Sequence, residues 1–106
     1  MIERRSAKRF QVDWQVRVEG SVNGAERFNA TGLLRNISSS GALVLLPERL
    51  LEGTAVDVYI KLPLRSKKWM KYPAHVVRVE QGDSVGAAIR FDVSRPDFRP
   101  PLGLAS

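Results

Sequence analysis

The stretch Val12-Asp13-Trp14-Gln15-Val16-Arg17-Val18 places an apolar residue at every second position. That period of two marks a strand with one buried face, because successive side chains of a strand point to opposite sides. The alternation returns in Ala55-Val56-Asp57-Val58-Tyr59-Ile60-Lys61-Leu62, in the second half of Trp69 to Val79, and in Ser84 to Phe91, where Val85, Ala87 and Ile89 share a side. Arg27 to Arg35 reads as a further strand. Ala42-Leu43-Val44-Leu45-Leu46, a nearly continuous apolar run ending at Pro47, reads as a short strand buried on both faces.

The segments between these runs have the chemistry of turns. Gly20 to Glu26 predicts a hairpin loop turning at Asn23-Gly24, and Gln81-Gly82-Asp83-Ser84 predicts another. A polar turn begins at Asn36, and Pro47 to Gly53 has room for one helical turn, with proline at its start and glycine at its end. Six strands without a long crossover helix predict an all-β fold, an antiparallel sheet closed into a barrel, since closure removes unpaired edges. A chain of 106 residues is one domain. Its expected parts are an N-terminal arm over residues 1–10, a barrel over 11–93, and an irregular tail over 94–106 that carries three prolines and a glycine between Pro96 and Ser106.

Composition excludes several functions. The chain has no cysteine and one histidine, His75, so disulfides, thiolate metal sites and histidine-rich ligand sets are ruled out. No apolar stretch approaches the ~20 residues of a membrane helix. The N-terminus runs straight into charged sequence without a secretory signal, so a cytoplasmic protein with no membrane partner is expected. The serines at 38, 39 and 40 lack a Gly-x-Ser-x-Gly elbow, His75 lies inside a predicted strand as a satisfied side chain, and no pair of carboxylates is spaced as acid and base. There is no Gly-x-x-x-x-Gly-Lys loop either. The expectation is a binding protein, not an enzyme.

Seventeen basic against eleven acidic residues leave a net charge of +6. The excess is concentrated in residues 1–9 and in Lys61 to Arg78, which holds Lys61, Arg65, Lys67, Lys68, Lys71 and Arg78 without an Asp or Glu. Such fields attract nucleotides, nucleic acid or acidic head groups. Within the first of them, Arg5-Ser6-Ala7-Lys8-Arg9 spaces two guanidinium forks four residues apart, while Asn36-Ile37-Ser38-Ser39-Ser40-Gly41 supplies short polar side chains and a glycine for a close turn. Together these make an anion site.

These residues resemble the PilZ family, bacterial receptors for cyclic di-GMP. The resemblance runs from Glu3 to Asp92 and rests on three pieces in order. They are the Arg-x-x-x-Arg motif at Arg5 and Arg9, the Asn/Asp-x-Ser-x-x-Gly motif at Asn36, Ser38 and Gly41, and the ending Ala74-His75-Val76-Val77-Arg78-Val79 followed by Val85-Gly86-Ala87-Ala88-Ile89-Arg90-Phe91. It implies a six-stranded PilZ-like β-barrel with a flexible arginine arm wrapping a ligand against its outer face. By that likeness Arg5 and Arg9 bind phosphates and guanine edges, Asn36 and Ser38 hydrogen-bond a guanine or phosphate, and Gly41 permits the turn.

Arg4 makes a double arginine, which in PilZ-like proteins goes with a stacked pair of cyclic di-GMP molecules. Arg78 and Arg90 are further candidates for phosphate contact, or are simply exposed strand arginines. The ligand is cyclic di-GMP, with no cofactor or metal, and the output passes to an unidentified effector protein. Two other readings remain: a small basic barrel binding nucleic acid through exposed Trp69 and Tyr72, and a ligand-independent PilZ-like adaptor that only contacts proteins.

Overall fold

A computed structural model of the chain describes residues 10–22, 26–47, 50–62, 68–81 and 85–101. Their strands are β1 (Phe10–Val22), β2 (Glu26–Ile37), β3 (Gly41–Leu46), β4 (Ala55–Lys61), β5 (Trp69–Gln81), β6 (Val85–Phe91) and the two-residue β7 (Asp97–Phe98). Neighbours run in the order β4-β1-β2-β3-β6-β5-β7, and a further β4–β5 ladder closes the first six into an antiparallel barrel. This is the expected all-β architecture. The tail adds a short rung: Met70 pairs with Phe98 and Lys71 with Asp97.

The alternation read from the sequence sorts the strands into two faces. Val16, Val18, Leu34, Val44, Val58, Ile60 and Val76 are all but completely buried and fill the interior. β-Branched residues dominate because they fit a pleated surface with little loss of rotamer freedom. Tyr72 and Phe91 stack inside at 3.9 Å between ring centroids, 8° from parallel. Apolar burial of this kind, at about 25 cal/mol per Å², is the main stabilising contribution to the barrel.

Three details differ from the sequence reading. β3 is not buried on both faces: Ala42, Val44 and Leu46 point inward, whereas Leu43 and Leu45 are half-buried on the outside. Asn36 belongs to β2 and not to a turn, pairing with Gln11 on one side and Leu43 on the other. The described part of the β3–β4 connection is a hydrogen-bonded turn and not a helical one. Thr54 N donates to Leu51 O at 3.2 Å, Gly53 takes φ of 87°, and its N–H reaches Val76 O at 2.7 Å. The expected hairpin turns at Asn23-Gly24 and at 82–84 lie outside the described residues.

Candidate functional site

The polar motif is built around a bulge. Leu34 pairs with Val44 but Asn36 with Leu43, so Arg35 is an extra residue on β2. Without it, Asn36 would share the interior face with Leu34; with it, Asn36 falls beside outward-facing Leu43. Cross-strand pairing then carries the row onward, from Gln11 through Asn36, Leu43 and Ala88 to Arg78. The adjacent row runs from Gly41 through Arg90 to His75. The structure therefore brings Asn36 and Gly41 onto one outer face with Arg78 and Arg90, the two arginines considered as further phosphate contacts.

Ser38 forms the corner of the turn. It is 8% exposed. Its N–H donates to Gly41 O at 2.8 Å, its Oγ donates to the same carbonyl at 3.3 Å, and Ser40 N–H donates to Oγ at 3.3 Å. A serine hydroxyl that both donates to and accepts from nearby backbone is a local turn former. Phe91 N–H donates to Ser40 O at 2.9 Å and fixes the turn to β6.

Gly41 is required for a reason other than the one expected. Its backbone is ordinary, Gly53 being the positive-φ glycine among the described residues. A Cβ at position 41, however, would lie 2.2 Å from the carbonyl oxygen of Ile89. The glycine admits close approach of β3 to β6, where the expectation was freedom in the turn.

The floor beside these polar groups is apolar and low. Leu43 and Leu45 lean over Gly86, and Leu33, 46% exposed, pairs with Leu45. At the rim, Arg78 Nη2 lies 2.9 Å from Glu80 Oε2, both side chains being more than half exposed. His75 Nδ1 lies 2.7 Å from Asp92 Oδ1. Since an ionised carboxylate only accepts, that nitrogen carries the proton. His75 is thus a satisfied strand histidine, as expected, though on the outer surface.

Arg4, Arg5 and Arg9 lie outside the described residues. β1 begins immediately after Arg9, and its first residue, Phe10, is the Cα partner of Ile37, within the Asn36–Gly41 motif. Trp69 and Tyr72, the aromatics on which a nucleic-acid reading depends, are only 8% and 9% exposed. Neither offers a stacking surface. Lys61 and Lys71 are also engaged, each with Nζ 5.9 Å from an aromatic ring centroid, those of Trp69 and Tyr59.

The sequence was matched to a family model, PilZ domain, over residues 3–99. The chain belongs to the PilZ domain family. Solved structures with a similar fold include the Bacillus subtilis inhibitor of motility MotI/DgrA, at 20% identity and a TM-score of 0.69, the match covering 88% of this chain but 44% of that one. The PilZ domain of Escherichia coli YcgR with c-di-GMP matches at 16% identity and a TM-score of 0.65, over 85% and 79% of the two chains. The PilZ domain of CeSA from a cellulose-synthesizing bacterium matches at 25% identity and a TM-score of 0.56, over 78% and 79%. No curated protein matches. PilZ domains are ligand-binding modules rather than enzymes. Among the described residues no helix is long and apolar enough to cross a membrane, and no group of three or more His, Asp or Glu is placed to hold a metal ion.

The sequence reading missed the apolar floor of Leu33, Leu43 and Leu45. Its signal was present in the exposed-face positions of β2 and β3, but the continuous apolar run concealed which side each leucine takes.

Proposed function

We propose that the chain is a cyclic di-GMP receptor that couples second-messenger level to a partner protein, acting in the cytoplasm. The observation that carries this reading is the pairing of Phe10 with Ile37, which ties the start of β1, one peptide bond from Arg9, to the Asn36–Gly41 motif. This pairing supports reading the two sequence motifs as parts of one site. Membership of the PilZ family supports it, as do fold relatives whose structures include a PilZ domain with c-di-GMP.

The chemistry fits a cyclic dinucleotide. Two phosphates and two guanines present negative oxygens and paired acceptors, which Arg5 and Arg9 meet as planar forks. Asn36 hydrogen-bonds a base edge, Ser38 holds the turn, and the outer leucines receive a base face. Arg4 adds a third guanidinium suited to a second, stacked ligand molecule. An arm ordered by ligand has a different pose from a free arm, and that difference is the signal passed to an effector.

Calorimetry with cyclic di-GMP tests the site. A charge-assisted hydrogen bond contributes about 1.5–3 kcal/mol, so Arg5→Ala and Arg9→Ala should each weaken binding roughly tenfold to a hundredfold or more. Unchanged affinity in both variants would remove the arginines from the site. Two ligands per chain in the wild type, falling to one in Arg4→Ala, is the result expected for the role given to Arg4.

A further inference from the structure

The tail, expected to be irregular, carries an aromatic side chain at a fixed place. β7 pairs with the start of β5, Met70 opposite Phe98 and Lys71 opposite Asp97. Directly opposed residues of a ladder point to one side, so Phe98 stands beside Met70, which packs against the core. The Phe98 ring is nevertheless 65% exposed, the one aromatic among the exposed large apolar side chains of the described residues. A lone apolar side chain on a surface is ordinary. This one is held: the ladder fixes its backbone, and Pro96, Pro100 and Pro101 restrict the segment on both sides, Pro101 being itself buried. Little conformational entropy is left to lose when such a ring is covered, which suits it to anchor an interface.

Its surroundings are basic. Lys68 O accepts from Leu62 N–H at 2.9 Å and so continues the β4–β5 ladder by one residue, which by alternation puts Lys68 on the Phe98 side. Arg99 follows Phe98 and takes the other side, toward the outer face of β4. There its charge pulls down the pKa of Tyr59 against the larger upward effects of burial, Glu19 and Asp57. Arg95 precedes the rung. Lys68, Arg95 and Arg99 are all exposed, and none forms an ion pair among the described residues. The nearby carboxylates belong to Lys71: Asp97 stands opposite it in the ladder, and Asp57 Oδ2 lies 3.9 Å from its Nζ.

We propose that this corner of the barrel docks an acidic segment of a partner protein. An apolar side chain of that segment covers the Phe98 ring, and its carboxylates meet Arg95, Arg99 and Lys68, the arginines as planar forks. Recognition falls to side chains, because the prolines that flank β7 lack the N–H groups an added strand would need. The net charge of +6 steers acidic partners from a distance. A nucleic-acid strand requires successive stacking rings, and Trp69 and Tyr72 are buried. A membrane surface requires apolar side chains in number, where the described tail exposes only Phe98 and Val93.

The test uses the full chain and a short labelled peptide alternating glutamate and leucine, with an arginine–leucine peptide as control. Binding is measured without cyclic di-GMP, so the result stands apart from the receptor reading. The acidic peptide should bind, weaken with added salt, and shift the amide resonances of Met70, Phe98 and Arg99. Arg95→Glu and Arg99→Glu together should weaken it about tenfold or more. Phe98→Ala should weaken it severalfold, and Phe98→Leu, which keeps an apolar side chain at this exposed position, should bind nearly as the wild type does. No binding of the acidic peptide, equal binding of the basic one, or indifference to both charge reversal and Phe98→Ala would overturn the proposal. So would tighter binding to vesicles containing phosphatidylserine, which would make the corner a membrane contact, or to single-stranded DNA, which would make it a general polyanion site.

Discussion

A methyl group at position 41 would stand 2.2 Å from the carbonyl oxygen of Ile89 and 3.3 Å from Cα of Arg90. Both neighbours are backbone, so nothing flexible can give way. Gly41→Ala should therefore force β3 from β6, cost about 1–3 kcal/mol, and weaken cyclic di-GMP binding by moving the turn. Thermal unfolding checks this, since a domain of this size loses about 4–8 °C per kcal/mol; a wild-type melting temperature would refute the packing argument. The motif residues themselves were legible in the sequence because Asn36, Ser38 and Gly41 are close neighbours in the chain. The reason for the glycine was not, because Ile89 meets it only once the sheet has formed. His75 was read correctly as a satisfied side chain, but its partner Asp92 comes from beyond β6 and no local pattern announces it.

On β2, two consecutive leucines have opposite roles. Leu34 is fully buried, whereas Leu33 is 46% exposed. Leu34→Ala should cost about 2–5 kcal/mol through lost burial and a cavity. Leu33→Ala should stay within about 0.5 kcal/mol, because a surface truncation leaves no cavity. Urea denaturation of both variants tests the register of the whole strand: equal losses would mean that the faces are assigned wrongly. The period of two located most of the strands, but it could not give their ends. β1 and β2 run on through Gly20 and Asn36, where the apolar alternation has already stopped, because a ladder partner and not a side chain extends them there. Nor could it show the extra residue at Arg35, since a bulge is defined only relative to the opposite strand.

Across the molecule, both tyrosines of the chain have a raised pKa. For Tyr72 the cause is burial, and for Tyr59 it is burial together with Glu19 and Asp57. A raised folded-state pKa for an acid means that the unfolded chain loses its proton first. Stability is thus unaffected below the ordinary tyrosine value of 10.0 and declines as pH rises above it toward the folded-state values. An alkaline titration read by phenolate absorbance and by circular dichroism should show phenolate appearing late and together with loss of structure. Phenolate forming at the ordinary pH in a chain that stays folded would contradict the burial of both rings. The strand count made a closed barrel legible, because six strands with one apolar face each have few other ways to hide their edges. The pairing of strands distant in sequence was not legible, because only the folded chain brings them together.

The strand order has one more consequence. β1-β2-β3 and β4-β5-β6 are two three-stranded meanders, held together by the β1–β4 and β3–β6 ladders. A single covalent crossing, the connection between β3 and β4, joins them. The barrel is in effect a dimer of halves written on one chain, and every other tie between those halves is non-covalent. The polar turn and the approach of the arginine motif belong to the first half, and Arg78 and Arg90 to the second. A chain divided at that crossing would hold the two sides of the proposed binding face on separate fragments, so a ligand that spans the face would act as the glue that reassembles them.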